Sequence, residues 1–401
     1  MRHTLLTTLA VFVLNLGSSQ LIYQYEFDGC GLSESTGALP DGVVVGSPEC
    51  VCGPRNDALQ FNGASDFLEM PVPGDLLTRD EYSFSFYLRP SGGGTILQQV
   101  FTNERICNLR DSAFNVQYFP TINTVSIRLA DFGATIGFVE AGLDADKCWH
   151  QVTLVKNGRI LELFVNGVEK DQFAGNQPIN IFSDEPFLLA GTKCGSGQNI
   201  EGYRGAIDEI TWYDRALTSA QVMALYEPID EIITGDTLIF QGDSFSPQVS
   251  SSCADNILWQ PSNGLSNSNV IQPVIGPSVS TTYNIEFFYT GCTATDSLQV
   301  VVVDEDDIDC ERVLIPTAFT PNGDNLNDIF AISNAFIIDE LLQFDILDRQ
   351  GNTLFRANNK ESGWDGRYRG DLMSSGIYIY KLAYECKGDS YSRTGSFNII
   401  R

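Results

Sequence analysis

The segment "TPNGDNLNDIF" at residues 320–330 places two aspartates and three asparagines between a proline and an apolar pair. An EF-hand calcium loop has oxygen ligands at alternating positions, glycine at the sixth position and glutamate at the twelfth. Counted from Asn322, glycine falls at the second position and no glutamate closes the loop. Pro321 fixes φ, Gly323 relaxes it, and side chains such as Asp324 bond the backbone two residues on, so a tight turn is predicted. Calcium binding by Asp324 and Asp328 is the lesser alternative.

Ten cysteines offer either disulfides or metal ligands. Six lie between Cys30 and Cys194, two in the middle of the chain and two near its end. Because each group is even, we expect separately folding modules with the bridges Cys253–Cys292 and Cys310–Cys386. The first six cysteines then pair among themselves in any of 15 connectivities. Zinc binding at residues 50–52 is the competing interpretation, but a C-x-C pair without a nearby histidine is a poor zinc ligand set.

Residues 1–19 have the order of a signal peptide: basic residues, an apolar run and small residues suited to cleavage. An exported chain is therefore predicted, which agrees with disulfides in an oxidising compartment. The sequence contains 51 acidic and 24 basic residues, a net charge of −27. This charge argues against nucleic acid and anionic membrane surfaces as partners. We also expect no membrane span, because no other stretch is long and apolar enough.

Catalytic residues are sparse. His150 is the only histidine beyond the predicted signal peptide, and we expect a packed histidine at a strand start because a general base needs partners within reach. A nucleophile elbow and a histidine pair are both missing from the sequence. Glycoside hydrolysis needs two carboxyl groups facing the sugar, but Glu162 is flanked by apolar residues in its predicted strand. We therefore expect a protein that is not an enzyme.

The elements that must position these residues are β-strands. In "YSFSFYL" (82–88) the large apolar residues alternate with serine, the period of a half-buried strand. In residues 149–170, Asn157-Gly158 and Asn166-Gly167 separate three strands, and Asn-Gly is a strong hairpin signal. The sequence predicts an all-β fold class with β-sandwich domains.

The first module, residues 20–228, resembles the laminin-G-like, concanavalin-type jelly roll. The resemblance rests on "YEFDG" (25–29), "DALQFNGASDFLEMP" (57–71), "WHQVTLVKNGRILELFVNGVE" (149–169) and "GAIDEITWYDRALTSAQVMALYE" (205–227). It implies two packed antiparallel sheets in a domain that binds glycans or proteins, often with calcium. A minority of relatives on this fold hydrolyse polysaccharides, and the fold alone does not select among these activities.

This resemblance also suggests site residues. Asp28, Asp66 and Asp208 lie in its signatures and are the candidate calcium ligands, with Asp28 and Asp208 as the first pair because the first and last strands are neighbours in such jelly rolls. Glycan binding would need aromatic side chains accessible near turns or on the polar side of a strand. The candidates are Tyr87, Tyr118, Phe119, Tyr203, Trp212 and Tyr213.

Residues 229–304 have short strands between Pro, Gly, Ser and Asn clusters, typical of a seven-stranded immunoglobulin-type sandwich. The segment "WQPSNGLSNSNVIQPVIGPSVSTTYNI" resembles the immunoglobulin-like or polycystic-kidney-disease-like repeats of bacterial surface adhesins. A single copy is expected to act as a rigid spacer, since no polar or aromatic set converges there.

Residues 305–401 form the third predicted module, a small β-sandwich that starts in an acidic linker. It is similar to the gliding-motility-associated C-terminal domain, the type B sorting domain of type IX secretion cargo. The similarity is carried by "IPTAFTPNGDNLNDIFAI", "FDILDRQGNTLFRANNKESGWDGRYRG" and "SSGIYIYKLAYE". The residues that match the sorting signature are Pro321, Asn322, Gly323, Asp324, Asn327, Asp328, Trp364, Asp365 and Gly366. The resemblance implies export through the periplasm by the type IX machinery, followed by release or surface attachment.

Together these features predict a non-catalytic binding or adhesion protein that is secreted or held on the outer cell surface. The expected ligand is an extracellular glycan or protein, and Ca²⁺ is the only cofactor suggested. A polysaccharide hydrolase and a purely structural surface component are the alternatives.

Overall fold

The computed structural model describes residues 21–71, 76–92, 94, 96–104, 112–132, 134–183, 185–193, 199–323 and 326–400. The predicted signal peptide lies outside these residues, as do Cys107, Cys194 and Asp324. The chain divides into two compact units, residues 1–301 and 302–401, which are described separately. In the described part of the chain, no helix is long and apolar enough to cross a membrane.

The first unit contains two large sheets and one small sheet. Its elements are β1 (Leu21–Tyr25), β2 (Val43–Val45), β3 (Glu49–Gly53), β4 (Asn56–Asn62), β5 (Phe67–Met70), β6 (Glu81–Pro90), β7 (Leu97–Thr102), β8 (Ala113–Phe119), β9 (Thr124–Asp131), β10 (Ala134–Gly142), β11 (His150–Asn157), β12 (Ile160–Val165), β13 (Val168–Ala174), β14 (Phe187–Leu189), β15 (Ile200–Gly202), β16 (Arg204–Tyr213), α1 (Ser219–Leu225), β17 (Thr237–Phe240), β18 (Asn256–Gln260), β19 (Thr281–Tyr289) and β20 (Cys292–Val303). Short 3₁₀ turns span Asp28–Cys30 and Leu76–Thr78. The predicted all-β class is confirmed.

Two eight-stranded sheets form the jelly roll. The first sheet has the order β13-β12-β11-β6-β16-β4-β3, with β1 beside β16. The second has the order β10-β9-β8-β7-β14-β5-β2, with β15 beside β7. Phe84 and Phe86 of β6 point into the shared core, as the alternation predicted, and Phe84 stacks on Trp212 with ring centroids 4.1 Å apart. Burial of such large aromatic surfaces is the main source of stability of a sandwich.

A β-bulge interrupts β16. Its first half pairs with β4 and its second half with β1, and the register with β6 shifts between Asp208 and Thr211. Glu209 adopts φ +50°, a left-handed conformation that is uncommon outside glycine. Bulges re-aim side chains, often next to functional sites. The bulge places two adjacent carboxylates, Asp208 and Glu209, where three strands meet.

Helix α1 packs on the outer face of the first sheet. Thr218 and Gln221 form the predicted capping box, in which each side chain bonds the other's backbone. Leu217 and Val222 cover Val155 and Phe164, which point away from the main core. This side of the first sheet is therefore partly covered by the protein itself.

The middle module contains the sheet β17-β20-β19-β18. Outside named strands its described residues add isolated bridges, such as Phe245 with Ile275 and Ile232 with Val249. Within the described residues this gives four strands instead of the seven expected, because many segments pair over one residue only. Trp259, Tyr283 and Phe287 are fully buried in this module.

Disulfides join the middle module to the jelly roll. Cys52 pairs with Cys253 and Cys148 with Cys292, with Cα atoms 5.5 and 5.9 Å apart. The predicted Cys253–Cys292 bridge is therefore wrong, as is the prediction that the first six cysteines pair among themselves. The prediction used only the even number of cysteines in each group, which says nothing about their distances. Cys52 and Cys148 lie on the surface of the jelly roll that faces the middle module. A third bridge links Cys30 to Cys50 within the jelly roll.

The second unit, residues 302–401, is a small sandwich of its own. Its strands are β21 (Ala318–Phe319), β22 (Glu340–Leu347), β23 (Thr353–Arg356), β24 (Arg367–Tyr368), β25 (Asp371–Leu372), β26 (Gly376–Cys386) and β27 (Asp389–Ile399). They form the sheet β21-β27-β26-β22-β23 and the hairpin β24-β25, and short 3₁₀ turns span Glu305–Asp307 and Ala335–Ile337. Phe330 stacks on Phe397 in its core. The predicted Cys310–Cys386 bridge is present.

Candidate functional site

The bulge in β16 buries a carboxylate that the protein does not satisfy. Asp208 is completely inaccessible, and its Oδ1 accepts a hydrogen bond of 2.8 Å from the Glu209 backbone. Its Oδ2 has no well-formed hydrogen bond among the described residues, although the Arg55 backbone N–H also acts on this carboxylate. This oxygen lies so close to Gly53 that a Cβ there would approach it to 2.5 Å. Buried polar atoms are normally paired, so an orphaned carboxylate oxygen calls for a ligand or a proton.

Neighbouring charges act on this carboxylate. Burial, followed by the charges of Glu209 and Asp28, raises the pKa of Asp208 to about 9. Burial also raises the pKa of Glu209 to about 7, although the nearby Arg55 opposes the rise. Arg55 forms ion pairs with Glu209 at 3.3 Å and with Glu227. In the absence of a further cation, the cluster holds a proton on Asp208 at neutral pH.

The three predicted calcium ligands do not form a group of ligand atoms within 4.8 Å of one another in the described part of the chain. Asp28 is exposed and accepts bonds of 3.1 Å at both carboxylate oxygens from Asn56, and its charge acts on Asp208. Asp66 instead accepts a bond of 3.0 Å from the Ser47 backbone in the turn between β2 and β3. The described contacts give Asp66 a role in a turn and link Asp28 to Asp208 through its charge, so calcium binding by this pair stays a prediction.

Hard carboxylate oxygens suit Ca²⁺, so the orphaned Asp208 oxygen and the exposed Asp28 carboxylate fit such an ion. A second cluster, formed by Cys30, Cys50 and Asp57, does not fit a metal. Its two sulfurs form a disulfide and offer no thiolate. Because Cys52 is also disulfide-bonded, the zinc interpretation of residues 50–52 is excluded.

The predicted ligand-binding aromatics are buried. Trp212 and Tyr203 are fully inaccessible, and Tyr118 packs edge-to-face on Tyr203 in the core. Tyr87 faces the other side of the first sheet, where its hydroxyl accepts a 2.8 Å bond from the Glu227 backbone. The bulge explains the error for Trp212, because it shifts the alternation so that Ile207, Ile210 and Trp212 all face inward. Phe119 and Tyr213 are only partly exposed.

The outer face of the second sheet presents two rungs of polar side chains across β7, β8, β9 and β10. We call them the amide rungs. The first consists of Thr102, Asn115, Arg128 and Phe138, and the second of Gln99, Gln117, Ser126 and Glu140, each paired with its neighbour by strand register. Residues at alternate positions on these strands, such as Val116 and Ile127, enter the core. Thr102, Gln99, Asn115 and Ser126 are buried, Gln117 and Arg128 are half-buried, and Phe138 and Glu140 are exposed.

Hydrogen bonds hold the rungs in place. Asn115 Oδ1 accepts bonds from Thr102 Oγ1 at 2.6 Å and from Gln99 Nε2 at 3.2 Å. Gln117 Nε2 donates to Gln99 Oε1 at 3.1 Å, and Arg128 Nε donates to Thr135 Oγ1 at 2.8 Å. The partly exposed Gln117 amide is thus fixed by a buried neighbour, whereas the Arg128 guanidinium is held by an exposed hydroxyl. Fixed polar groups on a rigid sheet are what a preorganised polar binding surface needs.

Sequence reasoning missed the amide rungs. The signal was present in "AFNVQYF" (113–119) and "TVSIRLAD" (124–131), where polar residues alternate with apolar ones. The sequence does not give the register between neighbouring strands, and this register is what aligns the polar residues into rungs. His150, by contrast, is buried as expected, and burial lowers its pKa to about 4, so it is neutral at pH 7.

Segment 320–330, which lies in the second unit, contains a turn held by hydrogen bonds. Asp328 Oδ1 accepts bonds from the Asn322 and Gly323 backbones at 2.8 and 2.7 Å. This fits the predicted turn, and it gives Asp328 backbone partners; the alternative calcium pair also needs Asp324, which is outside the described residues. Asn327 adopts a left-handed φ of +54°.

The two halves of the sorting signature touch each other. A Cβ on Gly366, whose φ is +76°, would meet Pro321 Cγ at 3.0 Å. Trp364 is buried, and its Nε1 donates to the Arg367 carbonyl at 2.7 Å. Asp365 Oδ1 accepts a 3.0 Å bond from the Arg367 backbone. The signature residues therefore stabilise one corner of the sandwich.

Solved structures with similar folds include carbohydrate-active proteins. Domain 4 of AbnA, an extracellular arabinanase from Geobacillus stearothermophilus solved with arabinotriose, is 20% identical, and the match covers 52% of this chain and 99% of that chain with a TM-score of 0.40. Trypanosoma rangeli sialidase is 14% identical over 51% of this chain and 32% of its own, with a TM-score of 0.38. The CBM40 of Ruminococcus gnavus IT-sialidase, bound to α2,3-sialyllactose, is 11% identical over 42% and 96%, with a TM-score of 0.34.

No curated protein matches the chain. Two family models match its parts. Residues 62–223 match the concanavalin A-like lectin/glucanases superfamily, and residues 313–399 match the type IX secretion signal domain. Both matches confirm the corresponding resemblances, and the immunoglobulin-like assignment of the middle module stays a prediction. This is an exported protein, secreted or held at the cell surface, that joins a lectin/glucanase-type jelly roll to a type IX secretion signal domain.

Proposed function

We propose that this protein is a non-catalytic adhesin that binds an extracellular glycan through the amide rungs on the outer face of its second sheet. The observation that carries the proposal is the half-buried Gln117 amide and Arg128 guanidinium beside the exposed Phe138. Sugars present hydroxyl groups that both donate and accept hydrogen bonds and carbon faces that stack on aromatic rings. The accessible side chains Gln117, Arg128 and Phe138 offer both kinds of contact.

The composition of the rungs favours binding over hydrolysis. Glycosidases place two carboxyl groups about 5–10 Å apart across the scissile bond. Of the eight residues in the rungs, Glu140 is the single carboxylate. The buried acids Asp208 and Glu209 belong to the first sheet, whose outer face is partly covered by α1 and the segment that follows it. A polysaccharide hydrolase therefore remains the alternative with less support.

We further propose that Ca²⁺ binds between Asp28 and Asp208 and stabilises the jelly roll. The ion would neutralise the orphaned Asp208 oxygen and replace its proton. It would also fix the junction at which β1 and β4 meet β16. This role is structural, so calcium would support glycan binding indirectly.

An array of neutral and acidic oligosaccharides, probed with the full chain with and without Ca²⁺, tests the proposal. We expect wild-type protein to bind a subset of the array and Gln117→Ala or Phe138→Ala to weaken that binding by up to about tenfold. Release of reducing sugar from a bound polysaccharide would overturn the non-catalytic assignment. Silence on every glycan would overturn glycan binding and leave a structural surface role.

A further inference from the structure

A cleft of about 390 Å³ lies between the jelly roll and the middle module within the first compact unit. This size falls in the range of small-molecule sites. Its described lining residues are Glu49, Val51, Cys52, Gln60, Arg89, Ser91, Cys253, Asp255 and Thr290. Apart from Val51 and the Cys52–Cys253 disulfide, every lining side chain is polar.

The cleft has rigid walls. The Cys52–Cys253 disulfide joins its two sides covalently. Next to it the modules meet backbone to backbone, since a Cβ on Gly291 would lie 2.3 Å from the Ser91 carbonyl oxygen. The Cys148–Cys292 bridge fixes the same turn of the middle module from another side. A site formed by both modules can therefore keep its geometry without a ligand.

Arg89 supplies a fixed donor in the cleft. Its guanidinium lies between two aromatic rings, 5.4 Å from the centroid of Trp149 in the jelly roll and 4.8 Å from that of Tyr289 in the middle module. Stacking of this kind orients the guanidinium plane. Nη2 donates to Gln60 Oε1 at 3.3 Å, whereas Nε is buried without a partner. Arg89 forms no ion pair with any carboxylate in the described part of the chain.

Two carboxylates supply acceptors at the same cleft. Glu49 and Asp255 are exposed, and neither side chain bonds another described residue. Gln60 donates to the Ser91 hydroxyl at 2.6 Å, so the polar lining is partly ordered already. With one cation and two carboxylates, the lining has a net charge of −1, and the whole chain is strongly acidic. An anionic ligand would be repelled, whereas a neutral ligand rich in hydroxyl groups can bond donors and acceptors together.

We propose that this cleft, which we call the module cleft, is a second binding site that accepts a neutral sugar residue, held by Arg89 on one side and Asp255 on the other. The middle module then contributes to ligand recognition and is more than a spacer. The proposal does not depend on the amide rungs, because the two sites share no residue.

Binding of the full chain to an array of neutral oligosaccharides and their uronate counterparts tests this site. Asp255→Ala removes an exposed acceptor without disturbing packing, and Arg89→Gln removes the stacked donor. Asp243→Ala is the matched control, an exposed aspartate of the same module outside the cleft. We expect both cleft variants to weaken binding of the same neutral oligosaccharide about tenfold, the loss typical of a charged hydrogen bond. The control should bind like wild type.

Equal binding of wild type and Asp255→Ala to every probe would overturn the module cleft as a site. Cleft-dependent binding confined to uronates would overturn the neutral-sugar assignment. The result for Arg89→Gln counts only if the melting temperature of this variant matches that of wild type. If it does not, the result for Asp255→Ala alone tests the site. Loss of binding in Phe138→Ala alone would support binding at the amide rungs and refute the module cleft. Loss in the cleft variants alone would support the module cleft and refute binding at the amide rungs.

Discussion

Cys52 of the jelly roll and Cys253 of the middle module, 201 residues apart in sequence, are joined by a disulfide. With Cys148–Cys292, whose sequence separation is 144, it makes two modules into one body. Both bridges connect the modules independently of the backbone segment that runs between them.

Removal of these bridges should destabilise the first unit. Loss of a native disulfide typically costs about 2–5 kcal/mol, and long loops are at the upper end in the chain-entropy model. We expect Cys52→Ala/Cys253→Ala to lower the melting temperature of the first unit in calorimetry. Cys310→Ala/Cys386→Ala is the matched control, which should affect the transition of the second unit. Peptide mapping without reduction should recover Cys52 linked to Cys253, and recovery of Cys253 linked to Cys292 would contradict the structure.

Calcium should stabilise the protein more at pH 8 than at pH 5. The pKa of Asp208 is raised to about 9 in the folded state, above its value of about 3.9 in an unfolded chain. The folded state therefore binds more protons between these values, and this carboxyl lowers stability as pH rises from about 4 to 9. A bound cation would remove that penalty.

Thermal melts with EDTA or Ca²⁺ at the two pH values measure this effect. Asp208→Asn should flatten the decline in EDTA and abolish the response to calcium. Asp66→Asn serves as the comparison, because its carboxylate bonds a turn instead, and it should keep the calcium response. An unchanged melting temperature on calcium addition at pH 8 would refute the calcium site.

Phe138→Ala should reduce glycan binding without loss of stability. The ring is 38% exposed at the outer end of the amide rungs and lies outside the buried core cluster, so its removal should cost little stability. Aromatic contacts of this kind contribute about 0.5–1.5 kcal/mol, or up to about tenfold in affinity. Phe182→Ala, an exposed phenylalanine outside the rungs, is the control for general surface hydrophobicity. Equal binding by both variants, measured by surface plasmon resonance, would remove Phe138 from the site.

Gly366→Val should impair export more than Gly351→Val. Both glycines have left-handed φ values, +76° and +89°, where a side chain costs about 1–3 kcal/mol. A Cβ at Gly366 would in addition press on Pro321, whereas nothing lies within 4 Å of one at Gly351. The comparison separates general backbone strain from disruption of the contact between Gly366 and Pro321, the two halves of the sorting signature.

The readout is the amount of protein outside the cell, with the melting temperature of the second unit measured in parallel. Deletion of residues 310–401 should leave the protein inside the envelope. Extracellular accumulation of the deleted form would show that this domain is dispensable for export.

The sequence by itself determined features that depend on neighbouring residues or on short motifs. Period-two alternation in β6, the Asn-Gly turns and the capping box of α1 follow from local conformational preferences, and each is present. The family signatures identified the jelly roll and the secretion domain.

Tertiary structure decided what depends on register and distance. Cysteine counts cannot show that Cys253 faces Cys52, because a disulfide requires proximity in space and no local pattern encodes it. Alternation could not orient Trp212, since one bulge residue reverses the faces of a strand. The amide rungs and the module cleft likewise arise only when distant strands, each unremarkable in sequence, are aligned by packing.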